Sequence, residues 1–140
     1  MGLIEDTVGL TMSNAREQWR QVAVRVSKPR QVRYVPIELI LCMALFRILR
    51  PNGYGGGNIH TAPQQVHVLA STLKRSPSSL ISKMLNLQGA RENAATDERD
   101  LYWVLSEPGR LDTLYTLVLD AARAEGFMED RVPEIVTPAK

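Results

Sequence analysis

Residues 36–50 set the tightest limit on what this chain can fold into. Ile37, Leu39, Ile40, Leu41, Met43, Leu45, Phe46, Ile48 and Leu49 fall on nearly every face of a helix. A helix that is apolar almost all round must be enclosed by other elements, so it is placed at the centre of the core. Pro36 suits the first helical position, Glu38 the positive end, and Arg47 and Arg50 the last turn. Pro51, Asn52 and Gly53 stop it. Glu38 and Arg47 also make the stretch too charged and too short to span a bilayer, so no membrane role is expected. A chain of 140 residues has the length of one domain and can enclose such a helix without a metal or a disulfide. Its single cysteine, Cys42, lies inside the apolar run and reads as a buried thiol, which fits a reducing compartment. Residues 1–10 hold Glu5 and Asp6 and no basic start, so no secretory signal is read and a cytoplasmic location is expected.

The remaining elements are mostly helical. Val66, Leu69, Ala70 and Leu73 share one face of a helix ending at Leu73. Ser76 and Pro77 then cap and open a second helix to about Leu87, with Leu80, Ile81, Met84 and Leu87 as its apolar stripe. Thr96 caps a third over residues 97–105. Pro108 opens a fourth, with Leu111, Leu114, Leu117, Val118 and Ala121 inward and Gly126 as its stop. Upstream, Val22, Val24 and Val26 alternate with polar residues, and residues 32–35 are again β-type around Ser27, Lys28, Pro29 and Arg30. That pattern predicts an N-terminal β-hairpin arm. The fold class is therefore mainly α. The division expected is a flexible leader (1–15), a single domain (16–127) and a C-terminal tail (128–140).

The net charge of +2 conceals strong segregation. Residues 16–91 carry a net +10, whereas residues 92–140 carry a net −6. From Leu39 to Arg91 there is no carboxylate. Such a stretch repels itself unless a polyanion meets it, and nucleic acid is the commonest one. A basic face folded against the acidic C-terminal part is the competing explanation.

Two helices joined by a tight turn, with small Ala70 in the first and apolar Leu80 in the second, follow the helix-turn-helix pattern. Lys74 stands where that motif often has glycine. The second helix is entered through Lys74, Arg75, Ser76, Pro77, Ser78 and Ser79, and its polar side adds Ser82, Lys83 and Asn86. Free N–H groups at a helix start suit a phosphate, and the serine hydroxyls can donate to its oxygens. Lys83 and Asn86 are at positions that can meet base edges in a major groove. The glycine loop 54–58 is no nucleotide-binding loop, because no Lys-Ser/Thr follows it.

The run from Arg75 to Leu87, with its Arg-Ser-Pro opening, Lys83 and Asn86, follows Gly57, Asn58, Ile59, His60 and Thr61. Together these resemble the N-terminal module of McrA-like HNH restriction endonucleases. The resemblance covers roughly residues 38–103, ending on Asp97, Arg99 and Trp103 at altered spacing; Asn58 stands where that pattern has lysine. The modules of that family are sulfur-binding domains, which recognise duplex DNA with sulfur in place of a non-bridging phosphate oxygen. The resemblance implies a partner, phosphorothioate-modified duplex DNA, and targeting of a nuclease domain in the full-length protein (type IV restriction). A phosphorothioate sulfur is less hydrated than oxygen, so a shallow apolar cup would favour it. The implied cup comprises Pro77 beside Ser76, with Tyr54 and His60 closing another side and Arg75 holding the remaining charge; Leu80, one turn further on, either completes it or stays in the core. Lys28, Arg30 and Arg33 are assigned to clamp the backbone or a groove. Lys74, Arg75, Ser78 and Ser79 are assigned to hold phosphates, with Gly57 and Asn58 on the loop beside the DNA. Lys83, Asn86, Gln88 and Arg91 are candidates for base reading.

No catalytic centre, metal site or cofactor is expected. His60 and His67 are the only histidines, and no acid or cysteine lies near either in sequence to complete a zinc set. An HNH centre would have to lie in another domain. A helix-turn-helix regulator without sulfur preference, or a protein-interaction module using the acidic C-terminal part, are the alternatives.

Overall fold

The computed structural model describes residues 3–25, 33–54, 57–88, 96–127 and 131–132. Among them are seven α-helices: α1 (Leu3–Val8), α2 (Met12–Ala23), α3 (Pro36–Leu45), α4 (Gln64–Leu73), α5 (Pro77–Gln88), α6 (Thr96–Leu105) and α7 (Arg110–Ala124). Two 3-10 turns, Pro51–Tyr54 and Ile59–Thr61, connect α3 to α4. The fold is mainly α, and the described residues contain no strand.

Helix α3 lies at the centre. Every residue from Ile37 to Leu45 is buried, including Glu38. Helices α1, α2, α5 and α7 pack on it, and α2 against α7 is the most extensive pairing. Trp19 of α2 is fully buried in that pairing, with its indole N–H donating to the Val118 carbonyl at 3.0 Å. Its ring meets Phe127 at 4.7 Å between centroids. Helix α3 ends five residues before Arg50, through i to i−3 bonds from Phe46, Arg47 and Ile48 that tighten the chain into a turn.

The β-hairpin arm is not found. Residues 21–23 are the last turn of α2, because Ala15, Trp19 and Val22 form a buried stripe at helical spacing. The valine alternation is not used: Val22 is fully buried and Val24 is 79 % exposed. Residues 33–35 are extended without a strand partner, and Lys28 and Arg30 lie outside the described residues. The flexible leader also needs correction. Thr11 caps α2 by accepting from the Asn14 N–H at 3.1 Å, and α1 packs on α3 and α6 with Thr7 fully buried. Of the tail, Arg131 and Val132 are described; Val132 joins the core, and the Thr72 hydroxyl donates to the Arg131 carbonyl.

Helix α7 stops as its sequence predicts. Gly126 adopts φ +90°, and the Phe127 N–H closes on the Ala122 carbonyl at 2.9 Å. No described helix is long and apolar enough to cross a membrane.

Candidate nucleic-acid interface

Helices α4 and α5 are joined by the three residues Lys74, Arg75 and Ser76. The turn is closed by the Arg75 N–H on the Ala70 carbonyl at 2.9 Å, which requires Lys74 to be left-handed (φ 61°, ψ 42°). That is the position where the motif often carries glycine. Lysine is held there by its own side chain: Nζ donates to the Ala23 carbonyl at 3.1 Å and to the Arg25 carbonyl. Lys74 thereby caps the end of α2 and joins it to the turn. Ala70 is buried at the crossing, and Leu80 is fully buried beneath α5. The Ser76 hydroxyl accepts from the Ser79 N–H at 3.1 Å, and Pro77 opens the helix behind it.

Behind this turn lies a buried charge cluster. Glu38 accepts from Arg25 at 2.8 and 3.0 Å and from Arg75 at 2.5 and 3.0 Å. All three side chains are enclosed: 9 % exposed for Arg25, 0 % for Glu38 and 5 % for Arg75. Burial alone would push the Glu38 carboxyl up. Bonds from Arg75 and Arg25, and from the Val35 N–H at 2.9 Å, overcome this and hold it below its ordinary value. The cluster thus keeps one net positive charge. Arg75 also lies 3.7 Å from the centroid of the Tyr34 ring, and Lys83 Nζ lies 4.8 Å from it. The Tyr34 hydroxyl and Ser79 Oγ are hydrogen-bonded at 2.8 Å. Burial, above all, raises the Tyr34 phenol well above its ordinary value, so it stays neutral. Tyr34 therefore fastens the extended segment 33–35 onto the first turns of α5.

The structure redistributes the residues assigned from sequence. Arg75 is enclosed with Glu38 instead of facing solvent, and Lys74 is engaged with backbone carbonyls of α2. Ser76 serves as a helix cap, Ser79 is engaged with Tyr34, and Leu80 belongs to the core. Ser78 is exposed, and Pro77, Lys83 and Asn86 are half-buried. Tyr54 is half-buried against the core, in a 3-10 turn that packs on α5. His60 is exposed, with Nδ1 3.1 Å from the Gly57 carbonyl; Gly57 takes φ +99°, and the exposed Asn58 receives the Thr61 hydroxyl on its carbonyl at 2.7 Å. Arg33 is exposed, and its carbonyl accepts from Arg75 at 3.2 Å. Gln88 ends α5, and Arg91 lies outside the described residues.

Sequence reasoning missed Arg25, Tyr34 and Glu38 as partners of this surface. A signal was present: Glu38 is the only acid between Gln18 and Arg91, so a buried position for it demanded cations. Part of the basic segment is neutralised by the acidic one. Arg16 and Arg20 meet Glu125 at 2.7 and 2.8 Å, and Arg47 meets Asp112 at 2.5 Å. Among the described residues, no group of three or more His, Cys, Asp or Glu side chains is gathered as a metal ligand set. No family model, curated protein or solved structure matches this chain.

Proposed function

We propose that the chain is a non-catalytic module that binds phosphorothioate-modified duplex DNA through the start of α5 and directs a nuclease domain to it. The observation that carries this reading is the serine-capped start of α5, set over a buried cluster of net charge +1. A helix N-terminus above a fixed positive charge favours a phosphate. Ser78 is exposed at this end and available to a phosphate oxygen. Arg75 acts through its field and through the positioning of Tyr34, not by direct contact. With Leu80 in the core, Pro77 is the apolar wall left at the surface for sulfur. No cofactor is required. The finer assignment to sulfur rests on the resemblance of the Arg75–Leu87 run.

A competition binding assay tests this with duplexes of one sequence, with and without a single phosphorothioate of each stereochemistry. One diastereomer is expected to bind more tightly by about 1–3 kcal/mol, the scale of discrimination by one apolar contact. Pro77→Gly should erase that difference while leaving most of the salt-dependent affinity. Equal binding of all duplexes leaves a helix-turn-helix regulator without sulfur preference. Absence of binding to any duplex refutes a DNA-binding role and favours the interaction-module reading.

A further inference from the structure

Helix α4 carries a second stripe that neither the core nor the turn to α5 uses. Gln64, His67, Val68 and Ser71 follow at helical spacing and, with Thr72 and Arg131, line an open surface pocket of about 350 Å³. That size falls within the range of small-ligand sites. The pocket is a built feature, because Thr72 ties down the Arg131 backbone and Val132 is buried next to it. The Arg131 guanidinium is itself placed over the Phe127 ring, 4.7 Å from its centroid.

The chemistry of the lining is one-sided. Arg131, His67, Ser71 and Gln64 bring a guanidinium, an imidazole, a hydroxyl and an amide, and among the described residues no carboxylate belongs to the lining. His67 Nε2 is buried without a hydrogen-bond partner. Such an atom costs stability unless a water or a bound polar group satisfies it. A guanidinium beside an imidazole, a hydroxyl and an amide suits an anion that accepts hydrogen bonds from several directions at once. A tetrahedral phosphate offers enough oxygens for all of them.

We propose that this pocket binds a phosphate group, held by Arg131 and Ser71 with His67 beside them. The phosphate comes either from a free phosphate ester or from a nucleic-acid backbone. The inference stands apart from sulfur recognition, since it uses no residue of the α4–α5 turn.

The chain has two histidines, which makes the test direct. Imidazole ¹H–¹⁵N spectra of the full chain are recorded at constant ionic strength during titration with inorganic phosphate, a nucleoside monophosphate or an unmodified duplex. His60→Gln assigns the signals, and exposed His60 serves as the internal control in the titrations with phosphate and the nucleotide. A saturable shift at His67 in the millimolar range, with His60 unmoved by phosphate and the nucleotide, is expected. Ser71→Ala and Arg131→Gln should each weaken it about tenfold, the effect of losing one hydrogen bond to a charged group. Ser71 is exposed, so its variant keeps the test valid if Arg131→Gln perturbs folding. Saturation by phosphate or the nucleotide assigns a free ligand, whereas a response to duplex alone assigns the backbone as the source. His60 and His67 shifting in parallel with phosphate or the nucleotide, no shift at His67 with any of the three, or full affinity in both variants would overturn the proposal. Failure of sulfur discrimination alone leaves it standing.

Discussion

Glu38→Gln is the most informative single substitution for the architecture beneath α5. It keeps the size of the side chain and removes its charge. Arg25 and Arg75 would then sit 9 % and 5 % exposed with no anion between them. Removing one partner of a buried ion pair typically costs about 3–5 kcal/mol, because an uncompensated charge stays buried. Arg25 keeps a bond to the Leu73 carbonyl at 3.1 Å and Arg75 keeps one to the Arg33 carbonyl, which places the expected loss near the lower end. Against a total stability of about 5–15 kcal/mol, even this is a large fraction. In urea, with a slope of about 2 kcal/mol per molar, the midpoint should fall by about 1.5–2 M. The pH dependence supplies an independent sign. Glu38 is held below the ordinary glutamate value of about 4.3, so its contribution is fully present above that pH. It is lost as the pH falls through the depressed folded-state value. The gap between parent and variant should therefore narrow on acidification below about pH 4 and be constant above about pH 6. A urea midpoint within about 0.3 M of the parent at pH 7, or a gap that widens in acid, would refute the account of the cluster.

Leu80→Ala should cost about 2–5 kcal/mol in denaturant unfolding, because it opens a cavity in the core; a change confined to sulfur preference would instead return Leu80 to the surface cup. Lys74→Val should be less stable than Lys74→Gly by about 1–2 kcal/mol, since only glycine takes φ 61° without strain; equal thermal midpoints would contradict the left-handed turn. The two tryptophans should separate by solvent access: iodide should quench Trp103, which is 72 % exposed, while Trp19 emission in a Trp103→Phe variant stays blue-shifted and protected.

What was legible in the sequence follows from how local the cause was. The ends of α5 and α7 are set by residues within one turn of them, Ser76 with Pro77 and Gly126, and both are where those residues predict. The central place of α3 follows from its lack of a polar face. The arm was misread because Val22, Val24 and Val26 satisfy a two-residue period by coincidence. The partners that decide for a helix are Val118 and Phe127, about a hundred residues away from Trp19. The surface carries a related ambiguity. Serine and arginine at a helix start read equally well as ligands of a phosphate or as partners of Tyr34 and Glu38. Choosing between them needs contacts between positions 37 and 45 residues apart.

The pairing of α2 with α7 also bears on how the chain is made. Synthesis delivers α2 first and α7 after four intervening helices, so Trp19 must wait for Val118 before its indole N–H is satisfied. Contacts of such sequence separation form late and slowly compared with those inside a helical hairpin. Until then the apolar surface of α3 lies open to aggregation or to chaperones. A shortened version that stops before α7 would leave that surface uncovered permanently. Dissection of this domain into smaller working parts is thus foreclosed by its own winding order.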